Sequence, residues 1–547
     1  MSGADQFADK RVVILGLARQ GVALVRFLSS CGAEVIVSDI RSSDKLQSEI
    51  AAIEHLQSSG REIELVLGEH PNSLLDNCDL LCLSGGVPPQ IEIVQEAIQR
   101  GIPLSNDSLL TLQQLRRQRL GPIVAITGSN GKTTTTTLVG EMLKTSGLRV
   151  HVGGNIGQPI IDRLHEIQPG EPIVIELSSF QLELFDPEIA LGPFESVGPD
   201  VAAILNVTPN HLDRHGAMAD YAKAKLNLLH QMPEGSSVVV SADDPVTSSL
   251  LDNPVGDQKS SIPKAWKLSS LLTQTRERCR EQKLEIIPFG RTTSMEYVGV
   301  NHEGARIDNC AETCVNTQAP QFPSSSSWLK AGQLTLDNRL LCHQDELLLR
   351  GEHNISNVLA AATISQMAGA TLEGLQQVAT SFRGVAHRLE VISQNNGVLW
   401  VNDSIATSPE RVVACLRSVD AEKQTVILLA GGQDKKLPWE SLADEVLFRV
   451  RYLIGFGAYG AEFVSLVQER SRLAKCSAPS SATAKKLDGA VTLAARLVES
   501  EKSSCPNCEI VVLLSPGGTS YDAYRDFEER GEHFRQLVQM LTAIPTS

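Results

Sequence analysis

Short, unbroken apolar runs alternate along most of this chain with longer stretches whose apolar positions recur every three or four residues. The first pattern predicts buried strands, the second helices that lay one face on a sheet. Arg11-Val-Val-Ile-Leu15 runs into a glycine turn and a helix, and Glu34-Val-Ile-Val-Ser-Asp39 is a second strand ending in an acid. Residues 79–83 form another apolar strand, 91–100 a helix, and Gly101-Ile-Pro103 starts a return strand. Val124-Ala-Ile126 leads through a glycine-rich turn into a helix whose Leu138, Val139, Met142 and Leu143 share one face. Further strands are predicted at 150–152, 172–176 and 201–205, and a helix at 221–229. The alternation returns late in the chain, with strands at 398–401, 425–429 and 510–514 and a closing helix at 526–541.

This order predicts an α/β protein of three domains. Residues 1–110 read as a Rossmann-like domain, 111–384 as a central P-loop-type ATPase domain with a mainly parallel sheet, and 385–547 as a second Rossmann-like domain. The stretch 255–345 breaks the pattern. It holds strands at 284–289 and 295–300, a Ser-rich segment within 320–328 and a hairpin about Asp337-Asn338, so a β-rich insertion away from the chemistry is expected.

The most informative turn is Gly128-Ser-Asn-Gly-Lys-Thr133. Gly128 and Gly131 leave room for a phosphate to approach the backbone. Lys132 adds a cation, Thr133 a hydroxyl suited to magnesium, and the helix start offers unpaired N–H groups. Ile126 stands where the wider P-loop motif has its first glycine. Glu176 ends a neighbouring strand, where it either binds magnesium or caps the helix that follows. Asn206 to His215, with His211 and Asp213, follows the next strand. On the helix at 221–229, Tyr221 and Lys225 share a face. An inward lysine either snorkels or is neutralised, and a neutral amine takes up carbon dioxide as a carbamate, a ready magnesium ligand. Near the N-terminus, Asp39 suits a ribose hydroxyl, but Ala18 occupies the second glycine of the dinucleotide fingerprint. That counts against a nicotinamide oxidoreductase and leaves a mononucleotide or phosphate-sugar site.

Composition narrows the partners. The chain has 547 residues, 42% hydrophobic and 21% charged, and a formal net charge of −15 from 64 acidic and 49 basic side chains. The acidic balance and the 4% aromatic content argue against nucleic acid and anionic membranes. With no apolar leader at the N-terminus and no run long enough to cross a bilayer, the eleven cysteines are expected reduced in a cytoplasmic protein. Cys505-Pro-Asn-Cys508 and the pair Cys310 and Cys314 lie in no recognisable zinc frame.

Taken together, the phosphate loop, Glu176-Leu-Ser-Ser-Phe-Gln-Leu-Glu183, Asn206 to Arg214, His353-Asn-Ile-Ser-Asn357, His387-Arg388 and Asn402-Asp-Ser404 resemble the Mur ligase family of ATP-dependent amide-forming enzymes. The likeness covers nearly the whole chain outside the insertion, and that family's own ATP loop lacks the first glycine. The segment 515–531 is similar to the D-glutamate-adding branch.

The resemblance implies a ligase joining UDP-N-acetylmuramoyl-L-alanine to D-glutamate through an acyl phosphate, acting as a monomer with ATP and two magnesium ions. A sister ligase or a folylpolyglutamate-type ligase adding another amino acid is the alternative. Lys132, Glu176, His211 and Lys225 would be catalytic. Gly128, Asn130, Gly131, Lys132, Thr133, Thr134, Asn354, Arg388 and Asp403 would bind ATP. Thr133 and Glu176 would hold one metal, and His211 and carbamylated Lys225 the other. Arg19, Gln20, Asp39, Arg41, Gly86, Asn155, Ser178 and Gln181 would meet the UDP substrate, and Lys435, Ser520 and Phe527 the D-glutamate. Ile405 departs from the lysine many members carry there. Closure of the last domain is expected, with hinges near residues 110 and 385.

Overall fold

The computed structural model describes residues 6–186, 189, 198–230, 232–251, 262–291, 326–349, 351–421, 423–434 and 437–543. The expected strand at 295–300, Cys310, Cys314 and Lys435 fall outside these. The chain divides into two compact units, Met1–Phe382 and Arg383–Ser547.

The first unit holds two sheets. Strands β1 (Arg11–Leu15), β2 (Glu34–Asp39), β3 (Ile63–Leu67), β4 (Leu80–Leu83) and β5 (Leu104–Ser105) form a parallel sheet in the order β3-β2-β1-β4-β5. The order reverses between β1 and β4, which opens a crevice at their C-terminal ends. The loops beginning at Gly16 and Ser84 flank it.

The second sheet contains β6 (Ile123–Thr127), β7 (His151–Gly154), β8 (Ile173–Glu176), β9 (Val201–Ile204), β10 (Ser237–Ser241), β11 (Glu285–Gly290), β12 (Ser327–Lys330), β13 (Gln333–Leu336) and β14 (Arg339–His343). Its order is β14-β13-β12-β11-β10-β9-β6-β8-β7, parallel from β7 to β12 and antiparallel from there to β14. The described part of 255–345 therefore lengthens the central sheet. β11 pairs with β10, the helix Ser269–Glu281 precedes it, and the hairpin at Asp337-Asn338 forms the sheet edge.

β6 is buried on both faces, as a central parallel strand must be. Val124 and Ile126 pack with Leu138, Val139, Met142 and Leu143 of the helix Lys132–Thr145 and with the helix Glu352–Met367. Ile123 and Ala125 face the opposite layer, continuous with the core of the first sheet. Each of the fully buried Val, Ile, Leu and Met side chains here favours the fold by about 1.5–3 kcal/mol over exposure. That anchors the loop leaving β6 on a rigid base.

The second unit has one sheet: β15 (Glu390–Asn395), β16 (Val398–Asn402), β17 (Gln424–Gly431), β18 (Tyr452–Phe456), β19 (Ser480–Ala484) and β20 (Glu509–Gly517), in the order β15-β16-β20-β17-β18-β19. All neighbours are parallel except β15 and β16. The closing helix Phe527–Ala543 packs Phe534 and Val538 against the sheet.

Candidate functional site

Three adjacent strands of the central sheet, β8, β6 and β9, deliver their loops to one edge. Gly131 ends the β6 loop at φ +81, a left-handed conformation that favours glycine. A Cβ there would lie 2.3 Å from Asn357 Oδ1, so the helix beginning at Glu352 closes directly on the loop. The β9 loop clamps it from the other side. Asn130 donates its backbone N–H to Asn206 Oδ1 at 2.8 Å, and Asn206 Nδ2 returns a bond to Asn130 O at 3.2 Å. Ser129 Oγ donates to Thr208 O and accepts from the Thr208 N–H, both at 2.9 Å. The loop is thus held open by neighbours before any phosphate arrives.

Two lysines meet on one carbonyl of this loop. Lys132 Nζ donates to Gly128 O at 2.8 Å and to Ser129 O at 3.2 Å. Lys225 Nζ donates to Gly128 O at 2.9 Å. Lys225 points inward, with only 1% of its surface exposed, and its amine sits 4.7 Å from the centre of the Tyr221 ring. The Tyr221 hydroxyl donates to Ser129 Oγ at 2.9 Å. Burial, then the charge of Lys132, push the Lys225 pKa well below the ordinary lysine value, with Glu176 opposing. Snorkelling is excluded by this geometry, and the amine is poised to be neutral.

Glu176 ends β8 in register with Ile126 and is buried. Its Oε1 accepts from Asn155 Nδ2 at 2.8 Å, while its buried Oε2 has no hydrogen-bond partner. Glu176 does not cap the next helix. Ser178 does, in a reciprocal capping box with Gln181. An orphaned carboxylate oxygen at the end of a strand that pairs with β6, whose loop follows, fits a hard cation. Among the described residues no three His, Cys, Asp or Glu side chains group closely enough to hold a metal by themselves.

His211 opens the short helix Leu212–His215 at φ +52, rare for a residue with a side chain. Its ring lies 5.0 Å from that of Phe180, which follows Glu176. Asn354 Oδ1 accepts from Asn357 Nδ2 at 2.9 Å, placing it one helical turn from the loop.

Of the residues expected at the UDP substrate, Arg19, Gln20, Asp39, Arg41 and Gly86 lie at or just beyond the C-terminal ends of β1, β2 and β4, and Asn155, Ser178 and Gln181 follow β7 and β8 of the central sheet. Both oxygens of Asp39 are engaged: Oδ2 accepts the Leu17 N–H at 2.7 Å and Arg41 Nη2 at 2.7 Å, and Oδ1 accepts Arg41 Nε at 2.9 Å. Although burial alone would raise it, these bonds hold the Asp39 pKa at about 2. Asp39 is thus an ion-pair partner that fixes Arg41. Gln20 Oε1 accepts the Gly85 N–H at 3.2 Å, and Gly86 faces open space. Arg19 Nη2 donates to Asn155 O at 3.0 Å, joining the first sheet to the residue that steadies Glu176. Gln181 is fully buried, with Nε2 on Ser108 Oγ at 2.8 Å.

In the second unit, the loops after β16 and β20 are tied together by a fully buried Arg530. Its Nε donates to Ser404 Oγ at 3.0 Å, Nη2 to Ser404 O at 2.9 Å and Nη1 to Gly518 O at 3.2 Å. Burial lowers its pKa to about 10. Ser520 is buried on the β20 loop, and Phe527 gives its carbonyl to Ser404 Oγ at 2.8 Å. Asp403 Oδ2 accepts Ser515 Oγ at 2.8 Å and Oδ1 the Leu389 N–H at 3.2 Å. Burial raises its pKa to about 6. Arg388, exposed, precedes the Leu389 whose N–H Asp403 accepts, and the Ile405 N–H donates to His387 O at 3.1 Å.

Sequence reasoning gave no separate role to the clamp residues Asn206, Thr208 and Asn357, to Arg530, or to Arg214. Their polar side chains inside quoted motifs were the only signal, because their partners lie far away in sequence.

Two family descriptions match the chain: "Mur ligase MurD-like, N-terminal domain" over residues 10–106 and "Mur ligase middle domain" over residues 126–268. A UDP-N-acetylmuramoylalanine--D-glutamate ligase of Pelotomaculum thermopropionicum is 32% identical over 538 residues, covering 98% of each chain. Ligases of the same name from Symbiobacterium thermophilum and Alkaliphilus metalliredigens are 32% and 33% identical, each covering 98% of this chain and 99% of their own.

Proposed function

The chain belongs to the Mur ligase family of ATP-dependent amide-forming enzymes, and from that membership we propose that it joins UDP-N-acetylmuramoyl-L-alanine to D-glutamate in peptidoglycan precursor synthesis. The observation that carries the chemistry is the convergence of Lys132 and buried Lys225 on Gly128 O, beside Glu176 with its orphaned oxygen. The amino-acid choice rests on the end-to-end likeness to D-glutamate-adding ligases.

In this reading an oxygen of the alanyl carboxylate bonds to the γ-phosphorus of ATP as the bond to ADP breaks. The amine of D-glutamate then attacks the acyl carbon, gives up its proton, and expels phosphate with the shared oxygen. Positioning and charge neutralisation do most of the work in such transfers. The loop N–H groups and Lys132 cradle the β- and γ-phosphates, together with Gly128, Asn130, Gly131, Thr133 and Thr134. Thr133 and Glu176 would hold one magnesium, and His211 with Lys225 as its carbamate a second; bound there, the ions would neutralise phosphate charge. A depressed amine pKa supports the carbamate, since only the neutral form adds carbon dioxide with loss of a proton.

Arg19, Gln20, Arg41, Gly86, Asn155 and Ser178 receive the UDP substrate, with Asp39 fixing Arg41 and Gln181 fixing Ser178. From the family resemblance, Asn354, Arg388 and Asp403 would contact ATP, and Lys435, Ser520 and Phe527 would take D-glutamate. We assign residues 1–110, 111–384 and 385–547 to these three tasks, in a monomer working in the cytoplasm. No helix among the described residues is long and apolar enough to cross a membrane.

The test is phosphate release by the intact chain with ATP, magnesium and UDP-N-acetylmuramoyl-L-alanine across a panel of amino acids. Release that depends on D-glutamate is expected. Release driven instead by L-glutamate, L-alanine or a diamino acid would move the chain to a sister activity.

A further inference from the structure

Arg214 is nearly buried, with 13% of its side chain exposed, three residues after His211. Its guanidinium spans two regions that the ligase reading assigns to different ligands. Nη1 donates to Gly85 O at 3.2 Å and Gly86 O at 3.4 Å, and Nη2 to Val87 O at 3.2 Å. Three successive carbonyls of the loop after β4 are thus held by one side chain from the central sheet. Nη2 also pairs with Glu183 Oε2 at 2.8 Å, and the guanidinium carbon lies 3.9 Å above the Phe180 ring.

Phe180 is the second half of the link. Its ring meets His211 at 5.0 Å and stacks on His215 at 5.5 Å and 24°. His215 is itself tied to Ser179 Oγ at 3.0 Å and to Glu183 Oε1 at 3.3 Å. His211 sits in a left-handed backbone conformation, which persists only where surrounding contacts enforce it. The Arg214 and His215 N–H groups both donate to His211 O, at 3.2 and 3.0 Å. The bond to Glu183 is short at 2.8 Å, while those to the three carbonyls run from 3.2 to 3.4 Å.

We propose that Arg214 is a positioning residue that couples occupancy of the Gly85–Gly86–Val87 loop by the nucleotide substrate to the seating of His211 as a metal ligand. This rests on the ligase reading above. A nucleotide drawn against the loop shortens the carbonyl bonds to Arg214, and the plane over Phe180 then fixes the ring against His211. The planar fork of arginine suits this; a lysine reaches one carbonyl as a point charge and cannot lie flat on the ring in the same way.

Coupling is reciprocal: whatever the nucleotide does for the metal, the metal does for the nucleotide. The test measures Mn2+ binding to the intact chain by electron paramagnetic resonance, with and without saturating UDP-N-acetylmuramoyl-L-alanine. In the native protein the nucleotide is expected to tighten Mn2+ by about tenfold, within the usual range for coupled sites. In Arg214→Met that factor falls to about one and KM for the nucleotide substrate rises, while KM for ATP stays within about twofold. Arg214→Lys, which keeps the charge against Glu183, decides the matter if the methionine variant does not fold; it is expected to lose most of the coupling. A lysine or methionine variant with full coupling would overturn the proposal, as would a native protein with none. Native protein that releases no phosphate with D-glutamate would remove the ligase reading itself, a failure visible before any variant is made.

Discussion

Replacing Lys225 by methionine tests the state of the buried amine directly. Methionine keeps the unbranched length and the burial but removes the titrating group. In the unfolded chain a lysine holds its proton to a pKa of about 10.4. In the folded protein, burial and the neighbouring Lys132 lower that value well below the ordinary one. Over the window between the two, the unfolded chain binds more protons than the native one. Stability due to this residue is therefore full above the unfolded pKa and is lost as pH falls toward the folded pKa. One proton corresponds to at most about 1.4 kcal/mol of stability per pH unit. The amine makes one hydrogen bond to a neutral carbonyl and is 1% exposed, so little screening reduces that slope. The assay is urea unfolding in carbonate-free buffer at pH 7, 8 and 9. The native protein should gain on Lys225→Met by up to about 1.4 kcal/mol with each unit, and added bicarbonate should stabilise it further at each pH without reducing that slope, because the carbamate forms in the native state and carries no ammonium proton. Parallel pH profiles for the two proteins would show that Lys225 stays protonated, and the carbamate reading would fall.

Lys225→Ala should lose ligase turnover and recover part of it with added formate or acetate; full turnover without them would remove the metal-ligand role. Gly131→Ala should cost about 1–2 kcal/mol from its left-handed φ alone. Its new Cβ would also push Asn357 off the loop, so ATP affinity measured by calorimetry should drop by more than about tenfold, or 1.4 kcal/mol. Asp403, with its pKa raised to about 6, holds its proton in the native state where the unfolded chain has lost it. Between about pH 4 and 6 the native protein should therefore lose stability relative to Asp403→Asn as pH rises. Equal urea profiles across that window would refute the buried, proton-holding state.

Much of this site is legible in the primary structure because it is local. An apolar strand, two glycines and an amphipathic helix specify the phosphate loop within a short segment, and Tyr221 and Lys225 share a helical face that proved to point inward. What sequence could not supply is which strands lie side by side. Only the order β8-β6-β9 explains why Asn206 and Thr208 clamp Ser129 and Asn130, and why Glu176 stands in register with Ile126 at the start of the loop. The same limit applies to 255–345, where strand periodicity is visible but the pairing of β11 with β10 is not. Asp39 shows the converse. An acid at a strand end reads as a ribose ligand, yet its two oxygens are taken up by Arg41 and the Leu17 N–H, a choice made by side-chain geometry.

The central claim is that carboxylate activation occurs by phosphoryl transfer at the Lys132, Glu176 and Lys225 site. UDP-N-acetylmuramoyl-L-alanine labelled with oxygen-18 in its alanyl carboxylate, turned over with ATP and D-glutamate, measures this without any variant. The account predicts that each phosphate released carries one labelled oxygen from the carboxylate. Unlabelled phosphate accompanying product formation would contradict it, because the oxygen shared between carbon and phosphorus would never have existed.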